Sequence, residues 1–134
     1  MYLRAMPAHK LFFHVTWSTQ DRAPMVDAGI RDALEPFIRK TAIREGAEVV
    51  AMSFLTTHVH LLLRTSSQVD LSRLLQMLKG GSSYVANRLP GNHHLKWNRR
   101  YSITSVNPHN LSVVISYIHN QDLRHPKETI EPRM

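Results

Sequence analysis

His58 and His60 stand one residue apart in the run TTHVHLLLR. Side chains alternate along a strand, so both imidazoles would project from one face while Val59 turns to the other. Two imidazoles on one face can share a divalent metal through their ring nitrogens. The alternative is a polar strand face that carries two unrelated histidines. Tyr117 and Gln121 lie four residues apart, which on a helix puts them on a common face. Tyrosine offers a phenolic nucleophile and glutamine a neutral oxygen ligand. Against that stands a tyrosine packed at a helix edge beside a solvated amide.

A third group is basic. His93, His94, Lys96, Trp97, Arg99, Arg100 and Tyr101 interleave cations with rings. Single-stranded nucleic acid is held in this way, with phosphates on the cations and bases stacked on the rings. A solvated loop with one buried tryptophan is the competing reading. Lys79, followed by Gly80 and Gly81, could bring backbone N–H groups to a phosphate, although the sequence is no P-loop.

These groups need elements to place them. Residues 11–19, rich in Phe, Val, Thr and Trp, predict a strand. From Asp27, apolar residues recur at three- and four-residue steps through Ile43, which predicts an amphipathic helix with Pro36 inside it and Gly46 as its stop. Residues 47–55 and 59–64 predict two strands joined at Thr56 and Thr57 as a hairpin. Asp70 is placed to cap a second helix, interrupted by Gly80 and Gly81 and ended at Pro90 and Gly91. Residues 101–106 predict a fourth strand. Asn107 or Asn110 would cap a last helix with Leu111, Val114, Ile115 and Ile118 on its apolar side. The order β-α-β-β-α-β plus one helix predicts an α+β, ferredoxin-like fold. It would be a four-stranded antiparallel sheet with two helices on one face, the other face open to a ligand or partner, and a C-terminal helix carrying Tyr117.

The chain's 134 residues suit a single domain, 1–134, with a flexible tail after about residue 126. Its formal charge of +7 favours a polyanionic partner such as nucleic acid. With no cysteine, thiolate metal sites and disulfides are excluded. No apolar run is long enough to span a membrane, and MYLRAMPAHK lacks the stretch of a signal peptide, so a cytoplasmic, nucleoid-associated protein is expected.

Five segments in order resemble the single-tyrosine HUH transposases of small bacterial insertion sequences and their repeat-associated relatives. They are FFHVTWSTQDRAPMV, HVHLLL, LSRLLQMLKGGSSY, LKWNRRYSITSV and VISYIHNQDLRH. Thr57 stands where an acidic residue often precedes the first histidine of this family, and Arg100 where a glycine is common.

The resemblance implies a transposase that cuts and rejoins single-stranded DNA through a 5′-phosphotyrosine intermediate. Tyr117 would be the nucleophile, and His58, His60 and Gln121 the ligands of magnesium or manganese, with other divalent metals able to occupy the site. It implies a homodimer, which can complete each site with the partner's tyrosine helix, and a substrate with hairpin ends. Lys79, Lys96, Trp97, Arg99 and Arg100 are the expected DNA contacts. Two rivals remain at the level of sequence: a non-catalytic, domesticated binder of single-stranded nucleic acid on the same fold, and a metal-dependent hydrolase using water. The latter needs a carboxylate base, and Glu48 on the neighbouring strand is the nearest in sequence.

Overall fold

The structure is a computed structural model that describes residues 10–132. Residues 1–9, expected to carry no leader, lie outside the described residues. Four strands form one antiparallel sheet: β1 (Leu11–Ser18), β2 (Glu48–Phe54), β3 (His58–Thr65) and β4 (Ser102–Ser105), in the order β2-β3-β1-β4. With α1 (Ala28–Arg44) and α2 (Leu71–Asn87) this is the α+β, ferredoxin-like arrangement expected from the sequence. β3 is a central strand and almost wholly buried, which suits its run of Leu and Val.

Local chemistry sets the helix ends. The Asp27 carboxylate accepts from the Ile30 N–H at 2.8 Å, and Asp70 accepts from Arg73 N–H at 3.0 Å. Each satisfies a backbone donor that the first helical turn leaves unpaired. Gly46 takes a φ of +89° just past α1, where a side chain would be strained.

Gly80 and Gly81 do not interrupt α2; the helix runs through them. Their N–H groups are therefore engaged in helix bonding rather than offered to a phosphate. A Cβ on Gly81 would sit 2.4 Å from the Phe37 ring of α1, so this glycine lets the two helices approach. Gly80 faces open space.

The main core lies between the sheet and α1/α2, with Val15, Trp17, Val59, Leu61 and Leu63 from the strands meeting Ile30, Leu34, Ile38, Leu74, Leu75 and Leu78. The opposite sheet face is not left open. α3 (Leu111–His119) lays Ile118, Leu111, Val114 and Ile115 against Ala51 and Leu62, forming a smaller second cluster. The last helix also breaks at Asn120, so Gln121 opens a separate short helix, α4 (Gln121–Arg124), instead of continuing the one that carries Tyr117.

The expected loose tail is also corrected. Ile130 is buried in the main core, and the Thr56 N–H donates to the Glu128 carbonyl at 2.9 Å. An apolar side chain and a strand-like backbone bond tie the segment past Pro126 to the β2–β3 turn.

The two glycines of α2 should respond oppositely to alanine. Gly81→Ala drives a methyl into Phe37 and should cost about 1–3 kcal/mol. Gly80→Ala only reduces backbone freedom in the unfolded chain and should stabilise by about 0.5–1 kcal/mol. Urea denaturation midpoints of the two variants check this; equal effects would contradict the assigned helix contact.

Candidate active site

On β3 the alternation holds. Val59 is buried in the main core, whereas His58 and His60 face the α3 side, their ring centroids 4.9 Å apart. Each is only 6% exposed. His14 on β1 joins them, since β1 runs beside β3 with Thr16 opposite His60 and His14 opposite Leu62. Its Nε2 lies 3.0 Å from His60 Nδ1.

α3 delivers the tyrosine. With Ile118 anchored against the sheet, the Tyr117 ring meets His60 and His14 edge-on, centroids 5.9 and 5.8 Å away. The Arg124 guanidinium lies over the ring, 4.5 Å from its centroid. Although the helix is broken between them, Tyr117 and Gln121 remain linked. Gln121 Nε2 donates to the Tyr117 carbonyl at 2.9 Å, taking up an acceptor near the end of α3. With its NH2 group so held, Gln121 is 0% exposed and its Oε1 has no hydrogen-bond partner.

His60 Nε2 is likewise buried and unpartnered. Leaving a buried polar atom unpaired costs roughly 1–3 kcal/mol, a cost that a cation between these two atoms would relieve. The Gln121 side chain is near enough to His60 to influence its protonation. A nitrogen and an amide oxygen, both lone-pair donors, fit a divalent cation. His58 has its Nδ1 occupied by Thr57 Oγ1 at 2.9 Å, which leaves Nε2 as its ligand atom. The three residues therefore suit a metal by their chemistry.

Protonation agrees. Burial pushes His58 down to about 4, with the Arg22 charge helping and Glu128 opposing. Burial pushes His60 down to about 3, followed by the charges of His58 and His14. Burial lowers His14 as well. Near neutral pH the rings are uncharged, the state in which imidazole ligates.

An open cleft of about 430 Å³ adjoins the histidines, its lining including Arg22, Asn98, Arg100, Tyr101 and His125. Of the expected DNA contacts, Arg100 lines this cleft, and Lys96 and Arg99 are exposed on the same segment. Trp97 is a correction. It is 8% exposed, its Nε1 donates to Ser82 Oγ at 2.9 Å, and its ring packs against Trp17. An indole so enclosed anchors the loop and has no free face for a base. Lys79 also has structural duties: its ammonium donates to the carbonyls of Arg99 and Arg100 at 3.0 and 3.3 Å, and burial lowers its pKa.

Glu48 is not near the histidines. It pairs with Arg64 at 2.8 Å, toward the other end of β3. The carboxylate that does reach the site is Glu128, hydrogen-bonded by the Thr57 hydroxyl and 3.8 Å from His58 Nδ1. Thr57 holds it below the usual carboxylate range. Sequence reasoning missed Glu128, His14, Arg22 and His125. HxH spacing reports one strand, and these four arrive from other segments; only the ring and charge types themselves could have hinted at them.

The family described as "Transposase IS200 like" matches residues 7–121. The ISDra2 transposase TnpA of Deinococcus radiodurans is 30% identical over 128 residues, covering 90% of this chain and 88% of its own. Among solved structures, a Deinococcus radiodurans R1 protein assigned as a transposase is 28% identical with a TM-score of 0.67, covering 86% of this chain and 93% of that one. A REP-associated tyrosine transposase bound to a REP hairpin has a TM-score of 0.70 at 18% identity, covering 86% of this chain and 68% of its own, and so shares the fold. With a family match that spans most of its length, the chain belongs to the IS200-like transposases.

Proposed function

We propose that this transposase cleaves and rejoins single-stranded DNA by transesterification, with Tyr117 as nucleophile and His58, His60 and Gln121 holding a divalent metal, magnesium or manganese. One observation carries the reading. The phenol-bearing ring packs on His60 of its own chain, where His60 Nε2 and Gln121 Oε1 are buried and unpaired.

In the reaction, Tyr117 Oη attacks the scissile phosphorus and loses its proton. A 5′-phosphotyrosine bond forms, and the departing 3′ oxygen takes up a proton as a free hydroxyl. The ester bond energy is retained, so the 3′-hydroxyl of another strand can displace the phenol without ATP. A metal bound by the three ligands would supply Lewis-acid withdrawal of charge from the phosphate. The chain's own part is positioning: α3 fixes the ring, Arg124 lies over it, and the second cluster keeps both against β3.

For the substrate we infer a single strand with a hairpin end, a DNA form to which the REP-associated relative is bound. Arg22 and Arg100 in the cleft, with exposed Lys96 and Arg99 beside it, offer cations to its backbone, and Tyr101 offers a ring. Excision takes two cuts, which suits a homodimer with two sites. The packing of the Tyr117 ring on His60 and His14 of its own chain supports a site assembled within one subunit, with exchange of the tyrosine helix between partners as the alternative. The hydrolase alternative loses Glu48 as its base, since that residue is committed to Arg64, and Glu128, the carboxylate that reaches the site, is engaged by Thr57 and Arg22.

Incubation with a labelled hairpin-ended strand and manganese should give a covalent adduct that survives denaturation. Tyr117→Phe should abolish the adduct and lower cleavage by at least about 10³-fold. Cleavage that persists in the variant would favour a water nucleophile; an adduct-free wild type would favour a binder.

The histidines also set a pH dependence. In the unfolded chain they take up protons near 6.5, but folded only near 4 and 3. Between these values the unfolded state binds more protons, so metal-free stability should fall as pH is lowered from about 6.5 towards 4. Manganese affinity should stay nearly level from pH 7.5 to about 5.5, because the folded ligands need shed no proton there. Denaturant midpoints and titrations across this range test both; affinity falling tenfold per unit already at pH 6.5 would contradict the buried, neutral pair.

A further inference from the structure

His58 can ligate a metal through Nε2 only if its proton resides on Nδ1, so some group must hold it in that tautomer. The nearest group to Nδ1 among the described residues is the Thr57 hydroxyl, at 2.9 Å, with the Arg22 guanidinium farther off at 3.5 Å. A hydroxyl carries one proton and can point it either way. Alone, Thr57 could donate to Nδ1 and drive the proton onto Nε2, the wrong tautomer for a metal.

Glu128 removes that freedom. Its carboxylate can only accept, and Thr57 Oγ1 donates to its Oε1. With the hydroxyl proton so committed, Thr57 can only accept from His58, and Nδ1 must be the donor. The chain of bonds runs in one direction, from His58 Nδ1–H to Thr57 Oγ1–H to the Glu128 carboxylate. Arg22 Nη2 stands 3.5 Å from both His58 Nδ1 and Glu128 Oε1, and its guanidinium donates by preference to the charged carboxylate, the stronger acceptor.

Glu128 is held for this task. It closes a short 3₁₀ turn, its carbonyl accepts from Thr56 N–H at 2.9 Å, and His125 Nδ1 lies 3.2 Å from its second oxygen. Ile130 is buried two residues later. The family match ends at Gln121, so this carboxylate comes from a segment beyond it.

We propose that Glu128, acting through Thr57, is a positioning residue that fixes the Nδ1–H tautomer of His58 and so keeps Nε2 open for the metal. The proposal rests on the assignment of His58 as a ligand, yet the tautomer can be read without metal or DNA.

The test uses the full chain labelled with ¹⁵N, at pH 7.5 and free of metal, with long-range ¹H–¹⁵N correlation of the imidazoles. Wild type and Thr57→Ser should both show His58 protonated on Nδ1. Glu128→Ala frees the hydroxyl and should move His58 towards the Nε2–H form, with manganese affinity, followed by the free-ion electron spin resonance signal, falling about 10–100-fold. A merely structural tail would lower the melting temperature and leave the tautomer alone. Should Glu128→Ala fail to fold, the wild-type spectrum still decides, since an Nε2–H tautomer of His58 overturns the proposal. A folded Glu128→Ala with unchanged tautomer and affinity overturns it equally. Either result leaves the Tyr117 adduct untouched, and loss of that adduct would not alter the tautomer.

Discussion

Two imidazoles must sit side by side on a buried strand without charge. That requirement organises the rest of the molecule. A charged pair 4.9 Å apart between ring centroids, in so dry a place, would repel and be poorly solvated. Burial resolves the conflict by keeping both neutral, and it makes each ring nitrogen's partner matter. His60 Nδ1 is met by His14, His58 Nδ1 by Thr57. Among the described residues His60 Nε2 remains unpaired, and so does the Gln121 oxygen, while Tyr117's carbonyl takes the amide's other end.

The sheet separates this task from folding. On one face, Val59, Leu61 and Leu63 enter the large core under α1 and α2. On the other, His58 and His60 share the strand with Leu62, which packs under α3. β3 therefore carries the two proposed ligands and anchors the helix that bears Tyr117. A shift of one residue in its pairing with β1 would exchange the two faces, burying the histidines in the core and exposing the leucines. Register is thus fixed by hydrophobic burial at many positions, and the site inherits its accuracy from that.

Much of this was legible in the sequence because it depends on neighbours along the chain. The His-Val-His alternation, the Asp70 cap and the strand-helix order are local facts, and all appear. The errors are non-local. Trp97 was read among cations because its sequence neighbours are Lys96, Arg99 and Arg100, yet its packing partners are Ser82 and Trp17. Glu48 was judged near the histidines because β2 adjoins β3, but antiparallel register carries it to Arg64. Glu128 lies 70 positions beyond His58 and could be found only once the tail was seen to fold back. The glycine pair was misread for the same reason, since Phe37 is far away in sequence.

The turn after β1 shows what holding the cleft in shape demands. Asp21 and Arg22 both adopt positive φ, 57° and 51°, in a region that costs an L-residue roughly 1–2 kcal/mol each. Such strain persists only where surrounding bonds over-determine the backbone. Here they do: Thr19 Oγ1 donates to the Ala23 carbonyl at 2.7 Å, and Gln20 N–H donates to Lys96 at 2.8 Å. Thr19 also bridges to Trp97, so the indole that might have stacked on DNA serves instead to fix the basic loop against this turn. The consequence is that Arg22 and Arg100, from segments almost eighty residues apart, line one cleft beside His58. Strain in one turn and burial of one ring together bring two cations into one cleft.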